Sequence, residues 1–198
     1  MGKFSCTGRC FGAGKSTVHA IKNYCYGKKA IDCGLLMDIM SNGNGALMRI
    51  MPFCLLREEY RKTFNFDDAV GMTHRHPINL VACCFFDVLV NAIVRGSDLK
   101  TAYETAEKSL SQEEKELIQM PSFGLLSERP ESEIKSGRFV LDTLWAAIWC
   151  VEKTTNYRDA VLKAVDLGDD SDTTASVAGG IAGLIYGIGE KKAFRAIG

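Results

Sequence analysis

The segment LGDDSDTTASVAGGIAGLIYG (residues 167–187) joins a strongly acidic loop to a run of small apolar residues. Ala175, Gly179 and Gly183 are four residues apart, and this spacing places them on one face of a helix. Glycine costs up to about 1 kcal/mol relative to alanine inside a helix, so repeated glycines require a compensating gain such as close packing. The segment therefore predicts a tightly packed helix that holds the acidic loop rigidly in place.

The acidic loop carries three aspartates within four residues, and their charges repel one another unless a cation lies between them. In an extended loop Asp170 and Asp172 point to the same side, with the Thr173 hydroxyl beside them. These oxygen ligands suit Mg²⁺, Mn²⁺ or Ca²⁺ rather than zinc, and an EF-hand is excluded because no glutamate follows at the twelfth position. The alternative is helix capping by Asp172 or Thr173, and the loop alone leaves both interpretations open.

A second polar interruption, SNGNGALMRI (residues 41–50), contains two Asn-Gly steps, which favour positive φ and predict a tight turn before an apolar helix. The backbone N–H groups of such a turn and the positive end of the helix attract phosphate. Ser41, Asn42 and Asn44 add side chains that hydrogen-bond phosphate or ribose hydroxyls. A plain loop without a ligand is the alternative.

The glycine-rich stretch GRCFGAGKST (residues 8–17) looks like a phosphate-binding P-loop but departs from that pattern. A P-loop needs a glycine six residues before the lysine, whereas this chain has Arg9 there and no apolar strand ahead of it. The stretch MTHRHP (residues 72–77) holds two of the three histidines. Taken alone, these histidines are more typical of packed or solvated side chains than of a site.

Apolar residues recur with helical spacing along almost the whole chain, and strand-like alternation is nearly absent, which predicts an all-α fold. Proline, glycine and capping residues mark the helix ends. We predict helices at residues 16–26, 67–72, 78–94, 111–120, 138–153 and 157–167. In the long apolar helix, Asn79, Asp87 and Asn91 form one narrow polar stripe, so a buried helix rather than a membrane span is expected.

The composition fits a single domain spanning residues 1–198, because 46% of the residues are hydrophobic and can form a sizeable core. Lys plus Arg equals Asp plus Glu, at 24 each, so neither nucleic acid nor an anionic membrane is an expected partner. The eight cysteines form no C-x-x-C pair and lie mostly in apolar runs, and the first residues lack the apolar core of a signal peptide. Reduced core thiols in a cytoplasmic protein are therefore expected.

Four segments in order along the chain resemble the ADP-ribosylglycohydrolase family: GRCFGAGKST, SNGNGALMRI, THRHP, and the region from SGRFVLDTLWAAIWC to the acidic loop and its helix. The resemblance extends from about Gly8 to Gly187. It implies a compact multi-helix all-α domain with a binuclear Mg²⁺ or Mn²⁺ centre. It also implies a hydrolase that removes ADP-ribose from a modified protein side chain or a small acceptor by cleaving the bond at C1″.

The resemblance also implies roles for individual residues, although it identifies no catalytic residue. Asp170, Asp172 and Thr173 would bind the metal ions, and Asp169 stands where the family commonly has glycine. His74 would face the ligand. The remaining residues would contact ADP-ribose, and they are Gly12, Ala13, Gly14, Ser41, Asn42, Gly43, Asn44 and Gly45.

The chain departs from the family pattern at its start. Family members usually carry a glutamate and a Thr-Asp-Asp run ahead of the glycine-rich stretch, and this chain starts at that stretch, so an N-terminally truncated domain is expected. Asp170, Asp172 and Thr173 alone are too few ligands for two ions. Two alternatives to a hydrolase therefore stay open: an ADP-ribose-binding remnant with impaired catalysis, and a purely structural helical protein.

Overall fold

The computed structural model describes Gly8 and residues 12–34, 42–56, 58–63 and 65–187. These residues form eleven α-helices and two short 3₁₀ turns, and they contain no strand beyond one isolated bridge. The helices are α1 Lys15–Cys25, α2 Gly45–Cys54, α3 Glu58–Arg61, α4 Phe66–Gly71, α5 Pro77–Val94, α6 Leu99–Lys108, α7 Gln112–Leu117, α8 Phe123–Glu128, α9 Val140–Glu152, α10 Tyr157–Asp166 and α11 Ser171–Tyr186. The predicted all-α fold is confirmed.

Helix α5 lies at the centre of the core and packs against α2, α4, α6 and α9. Its length and apolar composition would allow it to cross a membrane, but 61% of it is buried against other parts of the chain. Phe85 of α5 makes edge-on contacts with Tyr103 of α6 and Trp145 of α9, with ring centroids 5.2 and 5.4 Å away. Each such aromatic pair stabilises the fold by about 1 kcal/mol, in addition to the stabilisation that comes from burying the rings. The prediction of a buried core helix is confirmed.

The polar stripe of α5 meets polar groups of neighbouring segments. Asn79 Nδ2 donates a hydrogen bond to Asn42 Oδ1 at 2.9 Å. Asp87 accepts hydrogen bonds from both terminal nitrogens of Arg61, and Asn91 Nδ2 donates to Asp87 Oδ1 at 3.0 Å. Because buried polar groups are costly without partners, these contacts attach α3 and the turn at residue 42 to the core at defined points.

The predicted helix ends lie within three residues of the observed ones. Asn65 caps α4 by accepting a hydrogen bond from the Asp67 N–H at 2.9 Å, and Ser111 and Glu114 form a capping box at the start of α7. The prediction begins α9 two residues too early, because Phe139 is extended and pairs with Gly43. Tertiary contact therefore overrides local helix propensity at this end.

Helix α11 packs closely against α10, α9 and α2, as its small residues predict. A Cβ on Gly179 would lie 3.3 Å from Val161 Cγ2 and 3.5 Å from the Tyr157 hydroxyl oxygen, both on α10. A Cβ on Gly180 would lie 2.5 Å from Met51 Cε of α2. The glycines thus give up helix propensity for close helix contact, which fixes the acidic loop at the start of α11.

The six cysteines in the described part of the chain are free thiols. Cys33, Cys54, Cys83 and Cys150 are buried, which confirms their predicted core role, whereas Cys25 and Cys84 are exposed. Burial raises the pKa of Cys54, Cys83 and Cys150, so these thiols are neutral and unreactive near pH 7.

Candidate functional site

The turn at residues 42–45 is paired with the segment that leads into α9. Gly43 and Phe139 form an isolated antiparallel bridge. The Asn44 N–H donates to the Arg138 carbonyl at 3.1 Å, and the Val140 N–H donates to the Asn42 carbonyl at 2.9 Å. These contacts fix the backbone of the turn against a part of the chain that is distant in sequence.

The same turn contacts the acidic loop through the side chain of Asn44. Its Nδ2 donates to Asp170 Oδ2 at 2.7 Å and to Thr143 Oγ1 at 2.8 Å. Asn44 is only 7% exposed, so this amide is an internal connection between the turn, α9 and the acidic loop. The two polar interruptions that the sequence singled out therefore meet at one place.

The acidic loop has an unusual backbone, and this explains one departure from the family pattern. Gly168 has φ +76° and Asp169 has φ +54°, both in the left-handed region. Glycine adopts this region without strain, and aspartate is one of the few other residues that tolerate it. The Asp170 N–H donates to the Ser136 carbonyl at 3.1 Å, and Ser136 Oγ donates to the Gly168 carbonyl at 3.2 Å. The loop is thereby fixed at both ends.

Helix capping by Asp172 or Thr173, the alternative interpretation of the loop, is wrong. Helix α11 begins at Ser171, so Asp170 is the N-cap residue and the other two lie in the first turn. The Asp170 side chain makes no capping hydrogen bond, because its carboxylate accepts from Asn44 instead. Asp172 is exposed and Thr173 is buried.

Asp170 keeps one carboxylate oxygen directed toward solvent-exposed groups. Arg138 Nε lies 3.6 Å from Asp170 Oδ1, but the Arg138 side chain is 87% exposed while that of Asp170 is 15% exposed. An ion pair with such a solvated partner contributes little, so it does not hold Oδ1 firmly. This oxygen is the one that a ligand would meet.

His74 lies beside the turn and is buried. Its Nδ1 is 2.8 Å from Thr73 Oγ1, which also accepts a hydrogen bond from Arg49 Nη1 at 2.8 Å. When the Thr73 hydroxyl donates to Nδ1, the ring hydrogen lies on Nε2, which is 3.4 Å from the position of a Cβ on Gly45. Burial, and secondarily the Arg49 charge, lower the pKa of His74 to about 4, so the ring is neutral near pH 7.

The glycine-rich stretch at residues 12–14 leads into α1, whose first turn lies near the same turn. A Cβ on Gly45 would lie 3.0 Å from His74 Cε1 and 3.6 Å from Thr17 Oγ1. Residues 12–14 are exposed. Ser41 lies outside the described residues. The structure thus brings together the turn, the acidic loop and His74, and the first turn of α1 lies next to them.

A small cavity that the sequence did not predict flanks the bridge. It has a volume of about 160 Å³ and is lined in part by Phe139, Asp142, Trp145, Arg129 and Lys135. Ligand sites for small molecules usually exceed about 300 Å³, so the cavity is too small to hold ADP-ribose. Burial raises the pKa of the Asp142 carboxyl, and the Lys135 charge opposes this.

The fit of these residues to a metal centre is partial. Asp170, Asp172 and Thr173 offer oxygen donors, the kind that Mg²⁺ and Mn²⁺ prefer, all from one helix end. Within residues 12–34, 42–56, 58–63 and 65–187, no group of three or more His, Cys, Asp or Glu side chains is placed to hold a metal ion. The described residues therefore offer oxygen donors of the kind that Mg²⁺ and Mn²⁺ prefer, but they do not form a complete binuclear centre.

Comparisons with known proteins give a consistent relationship. The sequence profile of the ADP-ribosylglycohydrolase family matches residues 2–190. The chain is 33% identical over 188 residues to ADP-ribosylarginine hydrolase Tri1 of Serratia proteamaculans, covering 94% of this chain and 50% of that protein. It is 26% identical over 148 residues to the ADP-ribosyl-[dinitrogen reductase] glycohydrolase of Rhodospirillum rubrum, covering 74% of this chain and 47% of that protein.

The fold is also similar to a solved structure of an ADP-ribosylglycohydrolase-related protein complex. The TM-score is 0.70 at 25% identity, over 91% of this chain and 61% of that one. The chain spans about half the length of the curated relatives it matches. The family profile, the relatives and the fold agree, and the chain belongs to the ADP-ribosylglycohydrolase family.

Proposed function

We propose that this chain binds ADP-ribose between the turn at residues 42–45 and the acidic loop, and that it takes part in removing ADP-ribose from modified arginine side chains. The observation that supports the proposal is the contact of Asn44 with Asp170, which joins the glycine-rich turn to a carboxylate of the acidic loop. The similarity to ADP-ribosylarginine hydrolases supports arginine as the acceptor.

The turn suits the diphosphate because it ends in an uncapped helix. Asn44 is the N-cap residue of α2, yet its side chain makes no capping hydrogen bond. The first N–H groups of α2 therefore have neither an intrahelical acceptor nor a capping side chain, and they lie at the positive end of the helix dipole. Phosphate oxygens are acceptors that satisfy such groups.

His74 would act as a neutral hydrogen-bonding group rather than as a cation. Because its pKa is lowered to about 4, it carries no charge near pH 7. Its Nε2 faces Gly43 and Gly45, whose lack of side chains leaves room next to the ring. In this arrangement the positive end of α2 attracts the anion, and a hydrogen bond from His74 orients it.

The acidic loop would act on the opposite end of the ligand, at the distal ribose. In hydrolysis, the bond from C1″ to the arginine nitrogen breaks, water adds its oxygen to C1″, and the nitrogen takes up a proton. Positive charge develops at the sugar ring, and nearby carboxylates such as Asp170 and Asp172 stabilise it. Mg²⁺ or Mn²⁺ would bind to Asp170, Asp172 and Thr173 on one side only, with the remaining donors supplied from elsewhere.

A second candidate function is ADP-ribose binding without hydrolysis. The incomplete set of metal ligands among the described residues favours it. It needs the turn and His74 but not a complete metal centre. The two candidates therefore differ in turnover and agree in binding.

The test is calorimetric titration of ADP-ribose into the purified chain, with and without Mn²⁺. It is followed by measurement of ADP-ribose release from a peptide that is ADP-ribosylated on an arginine side chain. We expect binding that Mn²⁺ strengthens and that Asp170→Ala weakens about tenfold or more. Asp166→Ala, which removes the same charge from an exposed position on α10, should bind like the wild type. Release of ADP-ribose supports the hydrolase, binding without release supports the second candidate, and no binding at millimolar ADP-ribose contradicts both.

A further inference from the structure

We infer that Asn44 is a positioning residue that fixes the carboxylate of Asp170, and that its amide does not bind the diphosphate. The inference rests on the proposed function, because it assigns a role within the same site. It differs from the role that the family resemblance implied, in which Asn44 contacts ADP-ribose. The hydrogen bonds of this one side chain carry it.

Both hydrogens of the Asn44 amide are already used. One is donated to Asp170 Oδ2 at 2.7 Å and the other to Thr143 Oγ1 at 2.8 Å. A carboxylate only accepts hydrogen bonds, so the orientation of the amide follows from the contact with Asp170. Phosphate oxygens at neutral pH are also acceptors, and the amide has no hydrogen left to donate to them. The Asn44 amide is therefore not a donor to the diphosphate, and the backbone N–H groups at the start of α2 remain available for that role.

The other partner of the amide is fixed in turn. Thr143 is fully buried, and its hydroxyl donates to the Gly137 carbonyl at 3.2 Å while accepting from Asn44. The Asn44 backbone N–H is bound to the Arg138 carbonyl at 3.1 Å. Backbone and side chain of Asn44 are thus held from two directions, so the position of its donor to Asp170 is well defined.

The consequence for Asp170 is a carboxylate with two unlike oxygens. Oδ2 is directed inward and engaged by Asn44, whereas Oδ1 faces only the exposed Arg138 side chain among the described residues. Without Asn44 the carboxylate could rotate about its last bond and present either oxygen. Holding one oxygen inward keeps the other in a constant position for a cation or a ribose hydroxyl.

The chain offers a matched control for this arrangement. Asn91 Nδ2 donates to Asp87 Oδ1 at 3.0 Å, so it is a second asparagine amide bound to a buried aspartate, but it lies on α5 within the core. Asn91→Ala removes the same kind of hydrogen bond without touching the acidic loop. Any effect that is specific to Asn44 should be absent in this variant.

The experiment measures Mn²⁺ affinity and thermal unfolding of the full chain. Asn44→Ser is the main variant, because serine is well tolerated at the N-cap position, where Asn44 itself makes no capping hydrogen bond, and is too short to bridge to Asp170. We expect Asn44→Ser to weaken Mn²⁺ binding about tenfold or more, and Asn91→Ala to lower the Tm while leaving Mn²⁺ affinity unchanged. Thr143→Val should give a smaller loss of affinity, because the bond to Asp170 persists.

A double variant separates this inference from the proposed function. If Asn44 holds Asp170, the Tm losses of Asn44→Ser and Asp170→Ala will sum to more than the loss in the combined variant. Additive losses would overturn the inference, as would unchanged Mn²⁺ affinity in Asn44→Ser. If the wild type binds no Mn²⁺, the metal part of the proposed function fails, and the additivity of the Tm losses alone decides the role of Asn44.

Discussion

Two aspartates with little-exposed side chains, Asp87 and Asp170, differ in how their charges are balanced. Their side chains are 11% and 15% exposed, and each accepts a hydrogen bond from an asparagine and lies near an arginine. At Asp87 both oxygens are bound by Arg61, and that arginine is itself only 23% exposed. At Asp170 the arginine is exposed and 3.6 Å away, so one oxygen stays available.

The comparison shows that two carboxylates with similar exposure can differ in whether their partners satisfy both oxygens. The geometry of the partner decides this, because two parallel hydrogen bonds from a guanidinium satisfy a carboxylate and a single distant nitrogen does not. Asp87 therefore attaches α3 to α5, whereas Asp170 keeps the capacity to bind. The four predictions below test this difference, from the largest expected effect to the smallest.

Replacing the structural aspartate should cause the largest loss of stability. Asp87→Ala leaves the Arg61 guanidinium and the Asn91 amide without this carboxylate, and we expect the free energy of unfolding to fall by about 3 kcal/mol. Urea unfolding followed by circular dichroism measures it. Asp170→Ala is the matched variant and should lose about 1 kcal/mol. Equal losses in the two variants would contradict the distinction drawn here.

Acid should destabilise the fold through His74, which lies beside the turn that contacts Asp170. Its pKa is about 4 in the folded chain and 6.5 when unperturbed, so the unfolded state binds the proton more tightly. The stability contributed by neutral His74 is complete above pH 6.5 and is lost as the pH falls toward 4, by up to about 3 kcal/mol. Unfolding measured between pH 7 and pH 4 should show this slope, and His74→Gln should flatten it. A slope that persists in His74→Gln would assign it to other groups.

Filling the space beside His74 should have a moderate effect that is concentrated on binding. Gly45→Ala places a Cβ 3.0 Å from His74 Cε1, and we expect a loss of about 1 kcal/mol in stability together with weaker ADP-ribose binding. Gly124→Ala is the control, since a Cβ there meets no atom within 4 Å. Unfolding and calorimetry on both variants measure the difference. Unchanged ADP-ribose affinity in Gly45→Ala would place the ligand away from this turn.

Removing the exposed arginine should have the smallest effect on folding. Arg138→Ala should change the free energy of unfolding by less than about 0.5 kcal/mol, because its ion pair with Asp170 is solvated. It should also strengthen Mn²⁺ binding, because a positive charge near Oδ1 is gone. A large loss of stability in this variant would show that Arg138 stabilises Asp170 as Arg61 stabilises Asp87, and would contradict the difference between the two aspartates.

Local features of the fold could be predicted from the sequence, and long-range contacts could not. Caps, helix ends and the small-residue face of α11 depend on neighbouring residues, and the structure matches them. The Asn44–Asp170 contact joins residues 126 positions apart, and no periodicity indicates it. Thr143 and Ser136 were missed for the same reason, since each acts through a partner from another segment.

The partner of Asp87 shows a different limit. The sequence places Asp87 in a polar stripe on an apolar helix, which indicates that some partner exists. Arg61 lies on a helix of only four residues, which is too short for a periodic signal. Helix α6 is the opposite case. It was not predicted, although its buried residues follow helical spacing in the sequence, at Leu99, Ala102, Tyr103 and Ala106.

The backbone pairing around the turn makes amide hydrogen exchange a direct reporter of the site. The N–H groups of Asn44, Val140 and Asp170 donate to carbonyls of segments far away in sequence rather than to their own helices. Each can exchange with deuterium only when these segments separate, so their rates give the frequency at which the site opens. ADP-ribose should slow all three together, which would detect binding without any turnover.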